Sequence, residues 1–211
     1  MNEETQELWR HWSVALHIDR IYGGVPARKD TFEKWLEMRG FTGAEIKERV
    51  REAMDNGTLD EENEGHGLTI FNRIGGEPVI DSYQVKACLR EAMTVTGMAK
   101  RKRGLKQALQ HGVFVEPLYI PLGKEPEPEP EERVVHAMTR MGKIAAFQRS
   151  EYILDADVEF QVKTCSPLFA GTDLATLLEV GAEIGLGANR TRGHSKFKVV
   201  NLERLREAVP A

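Results

Sequence analysis

The sequence predicts an α+β fold in which helices cover one face of an antiparallel sheet, and three observations predict it. Residues 11–19, HWSVALHID, alternate strictly, with Trp12, Val14, Leu16 and Ile18 on one face and His11, Ser13, Ala15 and His17 on the other. Residues 82–97 and 172–185 carry apolar side chains at helical spacing, Val85, Cys88, Leu89 and Ala92 in the first and Leu174, Leu177, Leu178 and Ile184 in the second. Strand-like runs VEFQVKT and KFKVVNL stand on either side of the later helix. The resulting order of strand, helix, strands, strand, helix, strand is that of a ferredoxin-like sandwich.

The remaining elements fill in between. IYGGVPARKD breaks the first strand at Gly23, Gly24 and Pro26. DTFEKWLEMRG reads as a helix capped by Asp30 or Thr31 and stopped by Gly40, and TGAEIKERVREAMDNG as a second one. DEENEGHG, residues 60–67, reads as a loop, and LTIFNRI and EPVID as short strands about a turn at Gly75 and Gly76. Ser82 is the expected cap of the next helix. VFVEPLYIP is strand-like but interrupted by proline, EPEPEPE is expected as an extended, solvated connector, and RVVHAMTRMGKIAAFQRS as a β-hairpin turning at Met141 and Gly142.

Composition bounds function only loosely. The 211 residues are 41% hydrophobic and 29% charged, with a net charge of −4, as in an ordinary globular chain. The charge is uneven: MAKRKRGLK, residues 98–106, is basic and EPEPEPEE, residues 125–132, is acidic. A negative total does not exclude a local cationic groove, because attraction acts over a Debye length of about 8 Å. No apolar run approaches a membrane span, and MNEETQELWR is polar, so a cytoplasmic protein is expected. Cys88 and Cys165 have no ligand spacing and read as free thiols. H-E-x-x-H, G-x-S-x-G and paired C-x-x-C patterns are absent, so no cofactor and no metal are expected.

GLGANRTRGHSKF, residues 185–197, is the most distinctive stretch. A dinucleotide fingerprint runs strand, G-x-G-x-x-G, helix, but here Arg190 holds the last glycine position and the order is helix, loop, strand. A P-loop lysine is missing too. Glycines still permit close backbone approach, and Arg190, Arg192 and Lys196 suit phosphate groups. The alternative is an ordinary helix-to-strand connector with solvated arginines.

This stretch resembles the C-terminal glycine-rich loop of the RAMP superfamily, the repeat-associated proteins of CRISPR systems, which runs G-φ-G-x-x-R-x-x-G-x-G-x-φ. Gly185, Leu186, Gly187, Arg190, Gly193 and Phe197 match, with Ser195 where the last glycine is usual. VIDSYQVKACLREAM is similar to the family's I-P-G-S-S-L-K-G-x-L-R segment: Ser82, Lys86, Leu89 and Arg90 match, Ala87 replaces a glycine, and Asp81 and Tyr83 depart. Within the superfamily the likeness is greatest to the backbone subunits of CRISPR effector complexes. The resemblance implies one RAMP-type domain over 1–211 with an RRM-like core, a helical insertion at 28–66, and an acidic connector plus thumb-like β-hairpin at 122–150. It implies an RNA-binding, antiviral-defence subunit that oligomerises along single-stranded guide RNA with copies of itself and other subunits. Lys86, Arg90, Gly185, Gly187, Arg190, Arg192, Gly193 and Lys196 would hold the strand, and Phe147, Tyr83 or Trp9 would stack on it.

The same resemblance leaves an enzyme reading open. Some RAMP proteins cleave RNA with a histidine, for which His17, His66 and His194 are candidates. Others use a loop aspartate with a divalent metal, and Asp30 lies in a broadly similar region, where it serves equally well as a helix cap. A third class is a pure assembly protein, whose self-association would not weaken with salt.

Overall fold

The alternation at 11–19 becomes strand β1 (Arg10–Tyr22), with Trp12, Val14, Leu16 and Ile18 buried and the intervening side chains half-exposed. A computed structural model describes residues 9–59, 68–123, 127–139, 142–190 and 193–205. After β1 come β2 (Val25–Pro26), helices α1 (Lys29–Met38) and α2 (Gly43–Asp55), and strands β3 (Leu68–Ile70), β4 (Asn72–Ile74) and β5 (Glu77–Asp81). Helices α3 (Ser82–Val95), α4 (Met98–Arg101) and α5 (Leu105–Gly112) follow, then β6 (Val113–Glu116) and β7 (Tyr119–Pro121). The last elements are β8 (Glu129–Thr139), β9 (Gly142–Thr164), α6 (Gly171–Ile184) and β10 (Lys198–Leu205).

The fold is α+β with a ferredoxin-like core. β1 pairs antiparallel with β10 on one side and β9 on the other, and β6 pairs antiparallel with β9. Numbered within the core alone, the strand order is 4-1-3-2, with α3 and α6 as the two crossover helices. The buried faces of β1, β9, α3, α5 and α6 share one core, to which Leu16, Leu89, Leu109, Val158, Leu177 and Phe169 contribute. Each such side chain stabilises by about 1.5–3 kcal/mol before entropy is counted. α3 and α6 meet closely because Gly181 faces Cys88, where a Cβ would lie 3.0 Å from the sulfur. The Cys88 thiol donates to the Gly181 carbonyl at 3.6 Å, and burial pushes its pKa up to about 12, so it stays a neutral packing group.

A second, smaller core lies under α1 and α2, where Phe32, Leu36, Ile46 and Val50 pack with Val25, Leu59 and Ile70. β4, β5 and β7 form a separate three-stranded sheet. Gly75 and Gly76, at φ 58° and 82°, make the two-residue β4–β5 turn anticipated there.

Four sequence expectations need correction. α3 starts at Ser82 itself, with Asp81 at the N-cap position and no side-chain capping bond; the Ser82 N–H donates to the Leu118 carbonyl at 2.8 Å. α1 likewise starts at Lys29 after Arg28, placing Asp30 inside the first turn and not at its cap. VEFQVKT is not a separate strand but the end of β9, whose 23 residues run from the hairpin into the core. The acidic stretch is a connector only in part: Glu129–Glu132 belong to β8, in register with Tyr152–Arg149 of β9. The hairpin closes with Thr139 opposite Gly142; Met141, the expected turn residue, lies outside the described residues.

One close approach and one buried carboxyl in this fold each give a prediction. The β3 backbone crosses so near Gly23 that a Cβ there would lie 2.3 Å from the Ile70 carbonyl carbon, whereas at Gly24 the nearest atom is the Ala188 Cβ at 3.2 Å. Gly23→Ala is expected to cost about 3 kcal/mol or more and Gly24→Ala about 1 kcal/mol or less, read from denaturant melts. The second concerns Asp81. Burial pushes its carboxyl above the usual range, against the Asn72 amide and the charges of Arg39 and Arg49. A raised folded-state pKa favours folding below the unfolded value of about 3.9 and opposes it once pH passes the folded value. Asp81→Asn should therefore melt higher than wild type at pH 7, with the gain fading as pH falls to about 4. A difference independent of pH would show that the charge is not its cause.

Candidate nucleic-acid interface

The site is built on the outer face of α3. Lys86 and Arg90 are one turn apart and point the same way. Lys86 Nζ donates to the Gln110 carbonyl in the last turn of α5 at 2.8 Å, which holds the side chain across the cleft between the two helices. Partial burial, and then the neighbouring Arg90 charge, lower its pKa from the usual lysine value. Tyr83, Arg90 and Lys106 line the same cleft. Beyond Lys86, whose Nζ lies 5.6 Å from the ring of Phe114, the surface turns onto the β6 edge of the sheet. There Phe114, 41% exposed, lies 5.9 Å from Trp9, and Lys163 Nζ lies 4.7 Å over the Trp9 ring. The result is a band in which Arg90, Lys106, Lys86 and Lys163 alternate with Tyr83, Phe114 and Trp9. Cations beside exposed rings are what a single strand needs: charge for phosphates and flat faces for bases.

Lys106, Phe114 and Lys163 were not among the residues singled out from sequence. Lys106 sits in the basic run noted above, but Phe114 and Lys163 join the band only because β6 and β9 pair them in register.

The glycine-rich loop lies on another side of α3. Arg190 Nη1 pairs with Glu91 Oε2 at 2.8 Å, and Glu91 is rotated about 100° from Arg90 around the helix. Lys196 pairs with Glu183. The loop glycines are used for packing: Gly185 and Gly187 have φ of 87° and 77°, and a Cβ on them would lie 2.7 Å from the Ser195 carbonyl oxygen and 2.9 Å from the Tyr22 carbonyl oxygen. Ala188 N–H donates to that Tyr22 carbonyl, and Leu186 N–H to Ser195. Gly193, at φ 78°, donates its N–H to Arg190. Ser195 itself takes φ 61°, in the left-handed region that favours glycine, and its hydroxyl donates to the Ala188 carbonyl at 3.1 Å. Arg192 lies outside the described residues, as does His66.

The loop is also tied to the base of the β8–β9 hairpin. Arg133 donates to His194 Nε2 at 3.0 Å and to the Tyr22 hydroxyl, and Tyr22 donates to Glu131 at 2.6 Å. The Arg133 guanidinium holds the Glu131 carboxyl below the usual range, while burial, with Glu131 beside it, pushes the Tyr22 phenol up. Further out, Phe147 and its cross-strand partner Val134 are 68% and 61% exposed.

The uncovered face of the sheet is open but acidic at its centre. Register sets Ser13 beside Gln161 and Glu203, and Ala15 beside Glu159, with Glu116 opposite Gln161. His17 at its end has partners that its sequence position did not reveal: Nδ1 bonds Asp157 at 2.8 Å, while Nε2 lies 3.4 Å from Asp19 and 3.9 Å from Asp155. Such a histidine can exchange a proton while a carboxylate orients it. His17, Asp19 and Asp155 hold ligand atoms within 4.8 Å of one another, a spacing compatible with a divalent cation, although Lys198 already lies 3.2 Å from Asp19. Asp30 is apart from all of this. Partial desolvation acts to raise its pKa, but bonds from Arg28 and Thr31 outweigh it and hold the carboxyl below the usual range.

No protein-family model matches the sequence, and no curated protein matches it. The fold, by contrast, is similar to that of a chain in the type III-B Cmr-beta complex, solved by cryo-EM bound to cognate target RNA, with a TM-score of 0.55 and 13% identity. The match takes in 98% of this chain and 64% of that one. No helix among the described residues is long and apolar enough to cross a membrane.

Proposed function

We propose that this chain is a RAMP-type, RNA-binding subunit that oligomerises along single-stranded guide RNA in a CRISPR-like ribonucleoprotein complex. The observation that carries this reading is the band of cations and exposed rings along α3, α5 and the β6 edge. Two sequence motifs in family order and the fold shared with a chain of an RNA-bound Cmr complex support it. On this reading residues 28–66 are the helical insertion, and 122–150 hold the acidic connector and a thumb-like hairpin that offers Phe147 to a base. The glycine-rich loop sets the position of that hairpin and closes on the RNA backbone from beside α3. The partners are the RNA, further copies of this chain and other subunits, in the cytoplasm.

Affinity on this reading comes from phosphates and stacking, so it falls with salt and ignores sequence. Fluorescence anisotropy with unrelated labelled single strands tests it. Each single-strand phosphate contact adds about 0.7 to the slope of log affinity on log salt, so Lys86→Ala, Arg90→Ala and Lys106→Ala combined should lower it by about 2. An unchanged slope would remove the band from the interface. Freshly purified protein should also carry nucleic acid, visible in its 260/280 nm absorbance ratio, and form particles that shrink on RNase treatment.

The pairing of His17 with Asp157 favours a second reading, an endoribonuclease of the same superfamily. Cleavage of a labelled strand that His17→Ala abolishes, while binding persists, would establish it; uncut RNA with and without divalent metal would exclude it.

A further inference from the structure

Tyr83, at the end of the basic band, also forms the rim of a cavity that the proposed function leaves without a role. The cavity, of about 400 Å³, opens between α1, α2, the β4–β5 hairpin and the first turn of α3. Flat π surfaces form much of its wall. The Arg39 guanidinium lies 3.7 Å over Trp35 and donates to the Tyr83 hydroxyl at 3.0 Å, and Arg49 lies 4.3 Å over Phe41. Hydrogen-bonding edges complete the lining: the half-buried Asp81 carboxylate, whose bond from the Asn72 amide is a long 3.4 Å, and the Asn72 and Asn56 amides themselves.

The charge balance narrows the occupant. Arg39 and Arg49 are matched by Glu52 and Asp81, so the cavity has no excess charge for a phosphate. Its fit is a neutral, planar heteroaromatic group, while the cations that suit a phosphate stand just outside, on the far side of Tyr83. Unstacked RNA bases are held in this way, against aromatic and guanidinium planes with their edges hydrogen-bonded.

We propose that the cavity takes one nucleobase bearing an exocyclic amine, stacked on the Trp35–Arg39 pair, with the amine donating to Asp81. Cytosine, adenine and guanine offer that donor, whereas uracil has no exocyclic amine and presents only its N3–H between two carbonyl oxygens. The proposal rests on the RNA-binding reading when the base comes from a bound strand; a free mononucleotide presents the same chemistry.

Trp35 emission reports the cavity, as the part of tryptophan fluorescence that Trp35→Phe removes; anisotropy of a labelled strand reports RNA binding independently. The probes are oligocytidine and oligouridine 12-mers, CMP and UMP. The expected result is quenching of Trp35 by cytidine over uridine probes with roughly tenfold preference, which Asp81→Asn abolishes without changing the salt slope. Quenching by the 12-mers alone identifies a base of the strand, and equal quenching by CMP identifies a free nucleotide. RNA binding with Trp35 emission unmoved, or with a cytidine preference that survives in Asp81→Asn, overturns the cavity proposal and leaves the RNA reading standing. Quenching by CMP without any RNA binding does the reverse, and no response to any probe overturns both. Thermal melts of both variants verify that they are folded.

Discussion

Strand β9 has to satisfy two sets of partners along one continuous backbone, and the rest of the molecule is arranged around that requirement. Its C-terminal half is gripped by β1 and β6 and supplies Val158, Phe160 and Val162 to the core. Its N-terminal half leaves the core and pairs with β8 alone for most of its length, touching β3 only at Arg149 and Ser150. The two regimes meet at Tyr152, and Asp155, at φ 50°, lies three residues beyond it, at a gap in the otherwise continuous β1 ladder. A strand that changes partners without breaking transmits its direction, so the hairpin is aimed by the core and not by a flexible joint. Side chains reinforce the junction: Glu151 accepts two bonds from Arg73 and one from the Phe71 N–H, all of them largely out of solvent.

That continuity explains what was legible in the sequence and what was not. The alternation of β1 and the stripes of α3 and α6 were readable because local periodicity and burial agree there. β9 was not readable as one strand, because YILDAD carries two aspartates between its apolar runs and looks like a break. The β8 half of the acidic run was hidden for the opposite reason. Glutamate and proline disfavour strands, but Tyr22 of β1 reaches Glu131, Tyr152 of β9 reaches Glu129, and Arg133 two residues along β8 pairs with Glu131, and these contacts override local preference. Asp30 shows the limit of capping rules, since Arg28 captured its carboxylate in a two-point ion pair.

The candidate interface was half visible. Lys86 and Arg90 belong to one helix face and can be paired by counting. Lys106, Phe114 and Lys163 come from a second helix and two strands, and their proximity depends on a register that no local pattern encodes. The overall negative charge resolves in the same way: carboxylates gather on the open sheet face and along the hairpin base, leaving the α3–α5–β6 edge for cations. Charges separated by more than a Debye length of about 8 Å act nearly independently, so a chain of net charge −4 can carry a phosphate-binding edge.

On the proposed function, the glycine-rich loop has two requirements to meet at once. Its left-handed residues and its bonds to Tyr22 make it a rigid part of the fold, packed where β1 ends and the hairpin begins. Its cations are nevertheless held only at the surface, Arg190 by Glu91 and Lys196 by Glu183, with both carboxylates at least half exposed. Exposed pairs of this kind contribute about 0–1 kcal/mol each. A phosphate with two or more acceptor oxygens matches the guanidinium fork at least as well as a single carboxylate does. The exchange of Glu91 for a phosphate therefore costs little, and it leaves the loop backbone where the glycines have fixed it. Rigidity in the main chain and cheap release in the side chains are compatible, and that combination is what the proposed function asks of a packed connector that also contacts a polyanion.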